Sequence, residues 1–176
     1  ADAGTMVEVV TTATPFYGEA GGQVGDHGTI TAPGMEMVVT DTIKDPTGII
    51  IHKGEVKTGR MENGQTVMLT VDGDRRTAIA LNHTATHILH AALRHELGDH
   101  VKQAGSLVAP DRLRFDFTHF SQIDSAALER IETFVNNRIR QNVPVAIEEM
   151  DMDQAMASGA TALFEEKYGE QVRVVA

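Results

Sequence analysis

Residues 72–98 read DGDRRTAIALNHTATHILHAALRHELG and mark the point where the chain changes character. Asp72-Gly73-Asp74 is typical of a turn that ends in a helix N-cap. Residues 75–97 then contain neither Gly nor Pro, and Gly98 supplies a stop signal. Apolar residues recur in this run at helical spacing, namely Ile79, Ala85, Leu89, Ala92 and Leu93. The stretch therefore predicts one long amphipathic helix.

The chain before this helix favours β structure. Residues 6–12 are rich in Val and Thr, which suit a pleated strand, and further strand candidates are residues 36–43, 48–56 and 65–71. Turn signals separate them at residues 45–48 and 62–64. Short strands joined by such turns predict a small barrel-like or twisted sheet.

The chain after the helix alternates between strands and helices. Ala109-Pro110-Asp111 predicts a hairpin turn between strands 105–108 and 113–117. Residues 121–140 predict a second amphipathic helix, capped by Asp124 or Ser125, with its buried side formed by Ile123, Leu128, Ile131, Val135 and Ile139. A strand at 143–149, a short helix at 151–157 and a strand at 172–175 follow.

Helices beside a hairpin-based sheet predict an α+β fold rather than a doubly wound sheet. The change of character predicts two domains, a glycine-motif β-rich subdomain at residues 1–73 and an α+β core at residues 74–176, in which helices pack on an antiparallel sheet.

Composition restricts the classes of function. The chain has 176 residues and no cysteine, which excludes disulfides and thiolate nucleophiles within it. No apolar run approaches the roughly 20 residues that span a bilayer, so no membrane partner is expected. The formal net charge of −10 disfavours nucleic acid on charge alone, and DNA is not an expected partner. Any contact with a polyanion must be local, and Lys102, Arg112 and Arg114 are one candidate patch.

A glycine-rich segment, GEAGGQVGDHG at residues 18–28, lies within the β-rich part. It is not a phosphate-binding loop, because no Gly-Lys-Ser/Thr follows it. The favoured interpretation is tight turns and close backbone packing, and a ligand-cradling role is the alternative.

Two histidines on the long helix form a candidate metal site. His83 and His87 stand four residues apart, which places both imidazoles on one face, about one turn apart. Neutral imidazoles at that spacing can share one zinc ion, although such a pair also arises by chance. A zinc protease with this spacing needs a Glu directly after the first His as its general base. Thr84 stands at that position here, so such a protease is disfavoured. His90 extends the same face, either as a third ligand or, more simply, as a partly buried helix residue.

Several motifs, in the same order along nearly the whole chain, resemble those of alanyl-tRNA synthetases. TPFYGEAGGQVGD at residues 14–26 resembles their glycine-rich signature, and LNHTATH at residues 81–87 resembles their first zinc motif. QAGSLV at 103–108, LRFDF at 113–117 and GATALFEEKYG at 159–169 match further blocks. The resemblance extends to the free-standing alanyl-tRNA editing proteins.

This resemblance implies an editing domain that hydrolyses the ester of seryl- or glycyl-tRNA(Ala). It implies zinc as cofactor, with His83 and His87 as two of four ligands, and a Cys and a His downstream of Ala176 as the other two. Thr86 matches a position that reads the hydroxyl of serine, and Gln103 matches a polar position in the same pocket. His83, His87 and Gln103 are the expected catalytic residues.

The resemblance also implies a context for the chain. We expect a segment of a cytoplasmic, ATP-binding alanine–tRNA ligase, which contacts the 3′ aminoacyl end of tRNA(Ala) and the other domains of its parent enzyme. The alternatives are a free-standing editing deacylase, a zinc hydrolase acting on small esters or amides, a non-catalytic module that positions tRNA, and a purely structural segment.

Overall fold

The fold was taken from a computed structural model, which describes residues 1–159 and 170–175. It combines strands and helices in two compact units, Ala1–Ile123 and Asp124–Ala176. The predicted α+β class is confirmed. In the described residues, no helix combines the length and the apolar character that crossing a membrane requires.

The first unit begins with a five-stranded antiparallel sheet in the order β1-β4-β3-β2-β5. Its strands are β1 (Met6–Val9), β2 (Gly28–Ala32), β3 (Met35–Lys44), β4 (Ile50–Thr58) and β5 (Met68–Val71). The four predicted strands are present, and β2 was not predicted. The sheet is open, with β1 and β5 at its two edges, so the barrel-like closure expected from the sequence is not formed by the described strands.

The core of this unit lies on one face of the sheet. Alternate residues of β3 point inward, and Met35, Met37 and Val39 pack with Ile30 and Phe16, each at most 4% exposed. This alternation is the period-2 signature of a strand with one buried face.

The long helix is α1 (Gly73–Leu97), which starts two residues before the predicted position. Asp72 caps it, because its side chain accepts a hydrogen bond from the backbone N–H of Arg75 at 2.9 Å. Gly98 ends it at φ 112°. The hairpin of β6 (Gln103–Val108) and β7 (Leu113–Phe117) packs against this helix.

The second unit holds α2 (Ser125–Gln141), β8 (Ile147–Asp151), α3 (Met152–Ala157) and β9 (Gln171–Val175), with β8 and β9 antiparallel. Helix α2 starts four residues later than predicted, because Asp124 caps it by accepting from the N–H of Ala127 at 2.7 Å. The predicted buried side is wrong in part. Leu128 and Ile139 are about half exposed. The buried residues of this helix are Ala127 and Ile131, so its buried stripe is narrower than predicted.

The proposed division at residue 73 coincides with the change from β5 to α1, while the first compact unit continues to Ile123. The functional boundary at residues 73 and 74 therefore stays a prediction. Of the block at residues 159–169, only Gly159 lies among the described residues.

Candidate functional site

His83 and His87 lie together on the surface of α1. Their side chains are exposed, and their rings stack with centroids 5.1 Å apart and planes inclined by 22°. Surrounding atoms displace part of their hydration and lower the pKa of both imidazoles. Repulsion from His83 and His90 lowers the pKa of His87 further. Both rings are thus biased toward the neutral form, which offers a lone pair to a metal ion.

The donor chemistry of the pair fits zinc, because neutral imidazole is one of its usual ligands. The two rings lie close together on one helix, with centroids 5.1 Å apart. Within residues 1–159 and 170–175, no group of three His, Cys, Asp or Glu side chains could hold a metal ion. The described part of the chain therefore offers two candidate histidine ligands, and the metal and all of its ligands stay predictions.

The glycine-rich segment reaches the histidine pair. Nδ1 of His83 lies 2.6 Å from Oε1 of Gln23, although the two residues are 60 positions apart. A side-chain carbonyl oxygen can only accept, so the hydrogen bond requires the proton on Nδ1. The sequence interpretation did not single out Gln23.

A tight turn presents Gln23 to the helix. Gly21 and Gly22 occupy its centre at φ 60° and 82°, and the backbones of Ala20 and Gln23 bond to each other across it. The turn is fixed to β6, because Val108 donates to the carbonyl of Gly22 at 2.7 Å and accepts from Val24 at 3.1 Å.

Gly22 allows this close approach. A Cβ built at this position would lie 2.4 Å from both the carbonyl oxygen and the Oγ of Ser106. The prediction of tight turns and close backbone packing is therefore confirmed. In addition, the segment contributes a side chain to the histidine pair.

The same segment is tied to the start of α1. Asp26 is 2% exposed, and its carboxylate accepts from the N–H of Tyr17 at 2.6 Å and pairs with the Arg76 guanidinium. Arg75 donates to the carbonyl of Gly25 at 2.8 Å. Because Arg75 and Arg76 begin the helix that carries the histidines, these contacts fix the segment relative to the site.

Thr86 lies on the buried side of α1, 6% exposed, whereas His83 and His87 on the same helix are exposed. Its hydroxyl donates to the carbonyl of Asn82 at 2.8 Å. The hydroxyl proton of Thr86 is therefore already used in a hydrogen bond to the helix backbone. The hydroxyl oxygen can still accept a hydrogen bond from a ligand.

Gln103 is connected to the glycine turn. Its amide donates to Oγ of Ser106 at 3.1 Å, and Ser106 donates to the carbonyl of Gly21 at 3.4 Å. The structure thus links Gln103 through Ser106 to the turn that contacts His83. His90 is buried at 7% exposed, beside the Phe115 ring, as expected for a helix residue that faces the hairpin.

Comparison with known proteins gives first a class of enzyme and then particular relatives. Residues 1–75 match the family described as tRNA synthetases class II (A), which places this part of the chain in that class of enzyme. Over all 176 residues the chain is 68% identical to the alanine–tRNA ligase of Desulfosudis oleivorans, covering 100% of this chain and 20% of that protein. It is 53% identical over 175 residues to the alanine–tRNA ligase of Acetivibrio thermocellus, again covering 20% of the relative.

Over its whole length the chain is therefore similar to a segment of alanine–tRNA ligases, and it spans about a fifth of the length of the curated relatives it matches.

Proposed function

We propose that this chain is an editing domain, which hydrolyses the ester bond of tRNA(Ala) mischarged with serine or glycine. The observation that supports it most is the stacked pair His83 and His87, exposed on α1 and contacted by the glycine-rich segment. Identity of 68% over the whole of this chain to an alanine–tRNA ligase favours an activity that belongs to such an enzyme over a small-ester hydrolase.

The chemistry of amino-acid selection explains why such a site is needed. A pocket built for alanine cannot easily exclude glycine, and it rejects one added hydroxyl poorly. A second site with the opposite preference removes the products of those errors. A site that bonds the serine hydroxyl favours the wrong amino acid, because alanine has no hydroxyl with which to form that hydrogen bond.

Each site residue then has a role. His83 and His87 would hold zinc together with ligands expected beyond Ala176, and bound zinc would supply a Lewis acid or an activated water. Thr86 accepts a hydrogen bond from the serine hydroxyl, while its own proton stays on Asn82. Gln103 orients the aminoacyl group from β6.

The proposed partner is the 3′ aminoacyl end of tRNA(Ala), together with the other domains of the parent ligase. Two of the three residues of the candidate basic patch are already paired, Arg112 with Asp111 at 2.7 Å and Arg114 with Asp116 at 3.1 Å. Together with the net charge of −10, this favours an arrangement in which the rest of the ligase holds most of the tRNA. A cytoplasmic location belongs to the same proposal.

A substrate panel tests the proposal. The protein used continues along its natural sequence past Ala176, and the panel contains Ser-, Gly- and Ala-tRNA(Ala) and a small seryl ester. We expect hydrolysis of the first two and little of Ala-tRNA(Ala) or of the small ester. Equal hydrolysis of the small ester would favour a general esterase, and tRNA binding without hydrolysis would favour a positioning module.

A further inference from the structure

We propose that Gln23 is a positioning residue, whose side-chain carbonyl holds the Nδ1–H of His83 and leaves the Nε2 lone pair free for the ion that His83 would share with His87. This inference rests on the proposed zinc site and deepens it, because it assigns a residue of the glycine-rich segment to the metal chemistry.

The Gln23 amide, placed with its carbonyl toward the ring, selects one tautomer of His83. Oε1 of Gln23 lies 2.6 Å from Nδ1 of His83, and a carbonyl oxygen offers no proton. In a neutral imidazole, a proton on Nδ1 leaves Nε2 as the nitrogen with a free lone pair. A histidine that binds a metal generally donates its other ring N–H to an acceptor, which fixes the orientation of the ring. Gln23 supplies such an acceptor.

The acceptor is held in place before any metal arrives. The backbone of Gln23 is bonded to Ala20 across the turn, at 3.0 and 3.2 Å, and Val108 bonds the residues on either side of Gln23. A supporting group with fixed backbone loses little freedom when it orients a ligand. The contact therefore serves to orient the ring.

Because the His83 side chain is exposed, the effect of this hydrogen bond on ring orientation can be measured apart from its effect on the stability of the fold. Because His83 lies at the surface, loss of one hydrogen bond to it has little effect on folding. Its main consequence is rotation of the ring and exchange between tautomers.

The direct test is the tautomer of His83 in the metal-free chain, read from the ¹⁵N chemical shifts of its ring. Protonated and unprotonated imidazole nitrogens resonate far apart, so the two tautomers are distinguishable. We expect a protonated Nδ1 in the unsubstituted chain and a mixture in Gln23→Ala. Gln23→Glu keeps an acceptor but adds a charge that favours the imidazolium, so we expect it to restore the original pattern at a pH high enough to keep the ring neutral. Gln122→Ala, at an exposed glutamine, is the matched control.

The buried His52 ring reports on folding in the same spectrum. Its Nδ1 lies 2.9 Å from the carbonyl of Val9, so its own pattern is fixed by the sheet. If His52 keeps its shifts and Gln23→Ala leaves those of His83 unchanged, the inference is overturned.

A second measurement separates this inference from the proposed function. Zinc affinity is measured by chelator competition on the protein that continues past Ala176. We expect Gln23→Ala to weaken binding about 10–100-fold, as is typical when the support of a metal ligand is lost. Unchanged affinity would overturn the role of Gln23 and leave the editing site intact. If the unsubstituted protein bound no zinc, the zinc site in both proposals would be refuted. The ¹⁵N shifts would still show whether Gln23 fixes the tautomer of His83.

Discussion

At the scale of single residues, the site combines exposed and buried groups on one helix. His83 and His87 are at the surface, whereas Thr86, only one position from His87, is buried with its hydroxyl donated to Asn82. In the proposed editing site, the remaining oxygen lone pair of Thr86 is the feature that would distinguish serine from alanine.

Thr86→Val tests that role. Valine has nearly the same shape but no acceptor, and the lost bond to Asn82 adds little to helix stability, so the fold is retained. We expect the preference for Ser- over Ala-tRNA(Ala) to fall roughly twofold to tenfold, which corresponds to about 0.5–1.5 kcal/mol for one net hydrogen bond, because Thr86 keeps its bond to Asn82 with either substrate. Relative hydrolysis rates of the two substrates provide the measurement. Thr84→Val, at an exposed position of the same helix, is the control, and an unchanged preference in Thr86→Val would refute the assignment.

A buried histidine outside the site makes stability depend on pH. His52 is fully buried, with Nδ1 bonded to the Val9 carbonyl and Nε2 at 2.8 Å from the Thr14 hydroxyl. Burial lowers its pKa, and the bond to Val9 only partly offsets this. The unfolded chain therefore binds a proton more readily than the folded one. The stabilising contribution of neutral His52 is complete above the unfolded pKa of about 6.5 and is lost as pH falls below it.

His52→Gln removes this dependence. We expect the free energy of unfolding to fall less between pH 7.5 and pH 5.5 in the variant than in the unsubstituted protein, as measured by urea denaturation at both values. Other histidines with lowered pKa, such as His27 and His83, are present in both proteins and cancel in the comparison. Identical pH dependence in the two proteins would contradict the account. Lower stability of the variant at both pH values is expected, because His52 also packs edge-on against Phe16.

At the scale of elements, the glycine-rich segment at residues 18–28 connects the sheet, the β6–β7 hairpin and α1. Its backbone bonds to Val108, its Gln23 contacts His83, and Asp26 pairs with Arg76 at the start of the helix. A change in the turn should therefore affect the site as well as stability.

Two substitutions in this turn separate those effects. Gly21 and Gly22 both have positive φ, so alanine costs roughly 1–2 kcal/mol of backbone strain at either position. A Cβ at Gly21 meets nothing within 4 Å, whereas at Gly22 it would lie 2.4 Å from Ser106. We expect Gly22→Ala to weaken zinc binding and slow ester hydrolysis, and Gly21→Ala to lower stability alone. Zinc affinity and thermal unfolding measure the two effects, and equal zinc affinity in both variants would contradict the proposed role of the turn.

Local pattern also explains which elements the sequence could predict. The 25-residue helix α1 carries its own cap, periodicity and stop signal, so it was predicted to within two residues. Strand β2 was missed because Gly28–Ala32 follows the glycine-rich segment and is defined by pairing with β3 and β5. The contact between Gln23 and His83 was missed for the same reason, since no local pattern encodes a pair 60 positions apart.

At the scale of the whole molecule, the chain is acidic, with a net charge of −10, and it spans about a fifth of the length of its curated relatives. Under the proposed function, the chemical step would belong to this chain and most of the tRNA affinity to the rest of a ligase.

A single-turnover measurement separates those two contributions. With enzyme in excess over Ser-tRNA(Ala), the limiting rate reports the chemical step, and the enzyme concentration at half that rate reports tRNA binding. The His83→Ala/His87→Ala variant lacks both proposed ligands, and His95→Ala on the same helix is the control.

Loss of a group that only supports a metal ligand typically costs about 10–100-fold, so removal of both ligands should lower the limiting rate roughly a hundredfold or more. The account predicts that large loss in the double variant, near-normal half-saturation, and no loss in the control. An undiminished limiting rate in His83→Ala/His87→Ala would contradict it.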